Sequence, residues 1–248
     1  RKVVLATAIA ETSLTIQDIR VVVDAGRARR ARFDPGSGMA RLVTERVSRA
    51  EAEQRRGRAG RVAQGICYRM WTRGEEGALP AFAPPEITVA ALAGLALELA
   101  LWGSDGSDLA FLTPPPGPAL AEARALLDSL GALEHGRITA HGRALAALPL
   151  QPRLGHMLVT AGPGSATLAA LLSERDPLRG APADLALRIA AIRDPRAFEQ
   201  DHPHPIHRGT VDRIRAEAKR LSRLVQPPAH SFSLPEMAAL AYPDRIGL

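Results

Sequence analysis

Three side chains in one stretch have the types and spacing to bind a polyphosphate and act on it. Gln54, Arg58 and Arg61 sit at i, i+4 and i+7 in SRAEAEQRRGRAGRVAQGICYRMW, residues 48–71. At roughly 100° per residue these positions share a narrow sector of one helix face, provided the helix runs on through its glycines. A guanidinium is a permanently charged planar fork that matches phosphate oxygens, and a carboxamide beside two of them can hold a water in line. Gly57 and Gly60 interrupt the run at a cost of roughly 1 kcal/mol each relative to Ala. The expected reason is close approach at both positions, with no Cβ in the way. Arg55 lies roughly 100° round the helix from Gln54, so it is expected to stand off this face, and its replacement by Ala to retain substantial turnover. The competing reading is a solvated helix in a chain where 30 of 32 basic residues are Arg.

The surrounding elements must hold that face in place. Ser48 with Glu51 three residues on has the form of a capping box, so a helix should start near Arg49. Gly65 to Trp71 reads as a strand, with Cys67 as a core residue. Upstream, Val3 to Thr7 reads as a buried parallel strand followed by a turn from Ala8 to Ser13, and Arg20 to Asp24 as a second strand. Ligands of parallel sheets sit beyond the carboxyl ends of strands. Hydroxyls at Thr7, Thr12, Ser13 and Thr15 are therefore placed to bond phosphate oxygens, with ordinary turn chemistry as the alternative. Ala31 to Val47 reads as a hairpin turned by PGSG. Thr72 to Pro85, rich in Gly and Pro, reads as a loop at a domain boundary.

QRRGRAGR, residues 54–61, resembles motif VI of the DEAH/RHA class of superfamily 2 helicases, whose signature is QRxGRxGR. ATAIAETSLTI, Ala6 to Ile16, resembles motif V of the same class, usually ATNIAETSLTI. PAFAPPEI, LALEL and LLSERDPL further on resemble the bacterial HrpB-type members, so the resemblance spans essentially the whole chain. It implies ATP with Mg²⁺ held between two RecA-like domains, and hydrolysis coupled to movement along RNA or another single-stranded nucleic acid. Arg58 and Arg61 would neutralise charge on the γ-phosphoryl group, and Gln54 would orient the attacking water. Gly57 and Thr15 would lie against the nucleotide. Thr7, Ala8 and Thr12 would meet the RNA backbone, although Ala8 replaces the usual Asn and removes a side-chain amide. In the family the hairpin projects toward nucleic acid, which makes Arg30 and Arg32 candidate contacts; a solvated charge run is the alternative. Neither a GxxxxGK[ST] phosphate loop nor a DEAH tetrad occurs in the sequence, so the Mg²⁺ ligands are expected elsewhere and no metal site is expected here. This chain alone is expected to be inactive.

The resulting fold class is a partial RecA-like α/β domain, with a parallel sheet and a β-hairpin, followed by a winged helix and an all-α helical bundle. The expected boundaries are 1–80, 81–151 and 152–248. In the second segment, Ile87–Trp102, Ala119–Leu130 and Thr139–Leu148 read as helices, with a small wing at Leu133–Thr139. In the third, helices are expected at Arg153–Ala161, Ser165–Ser173, Ala183–Arg193 and Gly209–Val225. The last carries a basic face, read either as a backbone contact or as solvated. DHPHPIHRG, with His202, His204 and His207, reads as a loop.

Composition agrees with a folded, nucleic-acid-associated protein. Of 248 residues, 46% are hydrophobic, and a single cysteine excludes an internal disulfide. No apolar run reaches the roughly 18 residues that span a bilayer, and a cytoplasmic location is expected. Residues 1–73 hold 16 Lys and Arg against 7 Asp and Glu, whereas the remainder holds 16 against 19, so polyanion partners are expected in the first third. Opening on Arg1-Lys2 and stopping at Leu248, the chain reads as a fragment that begins inside the second RecA-like domain. The alternatives from other classes are a non-catalytic nucleic-acid-binding module and an RNA-processing scaffold.

Overall fold

A computed structural model describes residues 2–12, 16–34, 39–61 and 63–246. The chain forms two compact units. One comprises residues 1–91 with 111–116, and the other 92–110 with 117–248.

The first unit is α/β. A short helix α1 (Ile9–Thr12) precedes strand β1 (Val21–Asp24). Strands β2 (Arg27–Asp34) and β3 (Met39–Arg46) form an antiparallel hairpin, in register from Arg27 opposite Arg46 to Asp34 opposite Met39. Helix α2 (Arg49–Ala59) follows, then β4 (Ile66–Arg69), which pairs parallel with β1 from Val21 opposite Ile66 to Asp24 opposite Arg69. The expected strand at Val3–Thr7 is not formed. Val3 and Leu5 are 87% and 95% exposed, and the run has no ladder partner among the described residues, so nothing offsets the order a strand requires. The hairpin begins four residues earlier than expected, and its PGSG turn lies outside the described residues.

Two glycines in this unit are required by close approach, and neither is in the expected pair. A Cβ on Gly65 would lie 2.1 Å from the Ala59 carbonyl oxygen, where β4 passes under the end of α2. Gly26, at φ +70°, would place a Cβ 2.8 Å from Trp71 Cε3, and Trp71 seals a small core of Ala28, Val47, Ala52 and Leu79. The segment after β4 holds a further helix, α3 (Arg73–Gly77), where a loop is expected; Thr72 and Glu75 cap it as a capping box. Arg49 N–H donates to Pro80 O at 2.8 Å, Ala50 N–H to Ala81 O at 3.1 Å and Phe33 N–H to Val89 O at 3.0 Å, tying residues 80–89 to the first unit.

Among its described residues the second unit is helical apart from a two-residue ladder and an isolated antiparallel bridge between Leu178 and Ile206. Helices α4 (Ala93–Trp102) and α5 (Gly117–Ser129), the ladder β5 (Leu133–Glu134) with β6 (Arg137–Ile138), and α6 (Ala140–Ala146) give the expected order of helix, helix, wing and helix. Thr139 caps α6 by accepting from Gly142 N–H at 2.9 Å. The rest is α7 (Pro152–Ala161), α8 (Ala166–Ser173), α9 (Leu185–Arg193), α10 (Pro195–Asp201), α11 (Arg208–Leu221) and α12 (Leu234–Ala241). Leu154, Met157, Leu158, Leu168, Ile214 and Leu221 form a core with almost no exposure. Arg153 closes it, with its two terminal nitrogens on the Asp244 carboxylate and its guanidinium 5.3 Å from the Tyr242 ring. The winged-helix and bundle segments thus belong to one compact unit.

Candidate nucleotide and nucleic-acid site

The sequence builds α2 from its cap inward. Ser48 Oγ accepts from Glu51 N–H at 3.3 Å, and the Glu51 carboxylate takes the Ser48 N–H at 2.7 Å. The helix passes through Gly57 and ends at Gly60, so Arg61 lies just past it. Arg58 and Arg61 nevertheless reach one wall of the same cavity, of about 630 Å³, which Thr7 and Ala8 also line. Gln54 is exposed and stands outside that wall. A Cβ on Gly57 or Gly60 would meet nothing within 4 Å, so the chain itself needs no close approach there. Thr15 lies outside the described residues, as does the Thr12 side chain, although Thr12 closes α1.

Arg55 is not the detached neighbour the helix wheel suggests. It lines the cavity, and its Nε donates to Glu11 Oε1 at 2.6 Å. Its Nη1 donates to Asp24 Oδ1 at 2.8 Å and to Arg27 O at 3.1 Å. Burial works against its charge, but the hydrogen bonds to Glu11 and Asp24 outweigh it and raise its pKa. One guanidinium thereby joins α1, the end of β1 and α2. Asp24 is 3% exposed, and Oδ1 also accepts from Gly26 N–H at 2.9 Å. Removing Arg55 would leave a buried carboxylate without its charged partner, at a cost to the stability of this unit. The signals were an acid closing an apolar strand, VVVD, and an Arg beside the Gln of the motif.

Arg30 and Arg32 sit together on the hairpin and are engaged by carboxylates. Arg32 Nε and Nη2 donate to Glu45 at 2.6 and 2.7 Å. Arg30 donates to Glu45 at 3.2 Å and also pairs with Glu51. The hydrogen bond from Arg32 holds the Glu45 carboxyl below its ordinary range. Strand periodicity explains the arrangement. Ala28, Arg30 and Arg32 share the face that is buried at Ala28, whereas Arg27 and Arg29 alternate onto the exposed face.

The cavity is lined by five basic and two acidic residues, an environment that favours phosphate. Among the described residues there is no group of three or more His, Cys, Asp or Glu placed to hold a metal. His207 of the DHPHPIHRG stretch instead caps α11, its Nδ1 accepting from Thr210 N–H at 3.1 Å.

Residues 1–63 match the family model for the helicase conserved C-terminal domain. Over 231 residues the chain is 42% identical to the ATP-dependent RNA helicase HrpB of Escherichia coli, covering 91% of this chain and 28% of that protein. The crystal structure of the Escherichia coli DEAH/RHA helicase HrpB superposes with a TM-score of 0.75 at 38% identity, covering 97% of this chain and 29% of that one. The chain is a DEAH/RHA helicase C-terminal region. The probable ATP-dependent RNA helicase DHX34 of Homo sapiens is 35% identical over 232 residues, covering 90% of this chain and 20% of that protein. The chain therefore spans less than a third of the length of these relatives. Its first unit has the RecA-like fold, and Arg55 ties together the two segments whose sequences resemble helicase motifs V and VI.

Proposed function

We propose that this DEAH/RHA region supplies one half of the ATP site of an ATP-dependent RNA helicase, together with part of its RNA path. The observation that carries the reading is the placement of Arg58 and Arg61, from motif VI, on the wall of a cavity that Thr7 of motif V also lines. Two guanidiniums there neutralise the charge that builds on the transferring phosphoryl group. Gln54, exposed on the same helix, orients the attacking water, and the bare backbone at Gly57 leaves room for phosphate oxygens beside Arg58. Thr15 approaches the nucleotide, while Thr7, Ala8 and Thr12 follow the RNA backbone. Mg²⁺, when bound, would neutralise phosphate charge; among the described residues no group of three or more His, Cys, Asp or Glu is placed to hold it, and its ligands would belong with the phosphate loop and DEAH tetrad that this sequence lacks. On the hairpin, Arg27 and Arg29 face nucleic acid more openly than Arg30 and Arg32, which contact it only by sharing Glu45 and Glu51. Residues 81–151 are the winged helix and residues 152–248 the helical bundle, most of both lying in one compact unit. The protein works in the cytoplasm; no helix among the described residues is long and apolar enough to cross a membrane.

The experiment is ATP turnover with and without single-stranded RNA, for this chain and for a longer protein that includes the phosphate loop and DEAH tetrad. The chain alone stays at background, and the longer protein shows RNA-stimulated hydrolysis. Robust hydrolysis by the chain alone contradicts the division of the site. A longer protein that binds RNA without hydrolysis supports the binding-module reading instead.

A further inference from the structure

The second unit has a basic cavity that motifs V and VI do not touch. It measures about 580 Å³ and is lined by Arg124 of α5, Arg137 of the wing and Arg143 of α6. Among the described residues, neither the Arg137 nor the Arg143 guanidinium has a hydrogen-bond or ion-pair partner, and Arg124 donates to the Asp105 backbone carbonyl. One carboxylate lies on the wall, that of Asp105, and it is already engaged. It accepts from Ser107 Oγ at 2.6 Å and from Ser107 N–H at 2.8 Å, which hold it below the ordinary carboxylate range. Glu98 and Glu122 lie roughly 200° round their helices from Ala100 and Arg124, on the far faces. Glu134, opposite Arg137 in the ladder, is the nearest acid on the wing.

Three guanidiniums brought together from three elements, against one occupied carboxylate, form a site for a polyanion. The cavity is far larger than one phosphate group, and its wall includes apolar Ala96, Leu101 and Ile138. That mixture suits sugar and phosphate together better than a free anion. We infer that this wing cavity binds the phosphodiester backbone of single-stranded RNA, at a site separate from the motif V and VI cavity. The inference does not rest on the helicase reading, because none of its residues belongs to those motifs.

The test compares the chain with its Arg137→Gln/Arg143→Gln form in binding a 12-nucleotide single-stranded RNA across a KCl series. Arg137 and Arg143 are both exposed, so the variant should fold, and an unchanged melting temperature is the check. Each lost phosphate contact removes about 0.7 from the slope of log affinity against log salt. The double variant should therefore lose about 1.4 from that slope and bind roughly tenfold or more weakly at low salt. The Lys/Lys form at the same positions should recover most of the slope. Arg175→Gln/Arg179→Gln removes the same charge from another exposed place and should change the slope far less. Equal losses in the two Gln pairs mean bulk charge and overturn the inference, as does an unchanged slope in the first. If millimolar inorganic phosphate abolishes the difference between chain and variant while RNA length has no effect, the site takes a free anion and the RNA assignment is wrong.

Discussion

The two units are held together by different physics. In the second, a core of leucines, with Met157 and Ile214, is almost fully withdrawn from water. In the first, the buried apolar residues among those described are Ala28, Val47, Ala52, Ala59 and Leu79, with a half-buried Trp71 against them, and geometry is fixed by ion pairs: Arg55 with Glu11 and Asp24, Arg30 with Glu45 and Glu51, Arg69 with Glu53 and Glu76. One face of its sheet, with Val21, Val23, Ile66 and Tyr68, is exposed. Apolar packing tolerates salt and pH and punishes lost volume. An ion-pair scaffold orients a site but depends on every partner being present.

The largest effects follow from that contrast. Leu158→Ala, at a fully buried position, should destabilise the second unit by about 2–5 kcal/mol, read as a fall in its denaturant midpoint. It should leave hydrogen exchange in α2 unchanged. An equal loss of protection in both units would mean that they do not differ in this way.

Next comes Arg55→Ala. Breaking a mostly buried pair costs about 3 kcal/mol, so protection should be lost in α1, β1 and α2 together. Arg55→Lys should rescue only in part, because an ammonium cannot hold Glu11 and Asp24 in the same fork. Loss confined to α2 would show that the guanidinium does not link the two motifs.

A smaller effect separates the units by acidity. In the second unit His141 Nε2 and His156 Nδ1 lie 2.8 Å apart. Burial, then the neighbouring His141, pushes His156 from 6.5 down to about 4. The unfolded chain therefore takes up the proton first, and stability present above about 6.5 is lost as the pH falls toward about 4. In the first unit Glu45 and Glu53 are held below 4.5 by Arg32 and Arg69. Their contribution is present above 4.5 and fades only below it. Acid titration followed by hydrogen exchange should show the second unit weakening first, and His156→Asn should flatten that phase. The reverse order would contradict the electrostatic assignment.

Most of the helical framework was legible because caps and apolar periodicity are local. Ser48 and Glu51, Thr139, and the Leu-rich faces of α7 and α8 announce themselves. The capping box at Thr72 and Glu75 carried the same signal and was obscured by the glycines and prolines around it. Val3 to Thr7 misled because apolar composition reports what a strand needs and not whether a partner strand is present. In the site, residue types were legible from spacing but partnerships were not. Arg55, Arg30 and Arg32 look like Arg58 in sequence, and only tertiary contact shows which carboxylates hold them. Alternation from buried Ala28 could have placed Arg30 and Arg32 on the inner face of the hairpin. Glycine need was misassigned as well, because close approach at Gly65 depends on where β4 passes beneath α2.

The most direct test of the central claim is Arg61→Ala in a protein that carries this chain together with the phosphate loop and DEAH tetrad. Arg61 lies past α2 on the cavity wall with Arg58, and a guanidinium facing a transferring phosphoryl group is worth on the order of 10³–10⁵ in rate. ATP turnover measured at saturating RNA should fall by about that factor, with nucleotide-free RNA affinity nearly unchanged. Wild-type turnover combined with weakened RNA binding would contradict the account, and would make motif VI here a nucleic-acid contact.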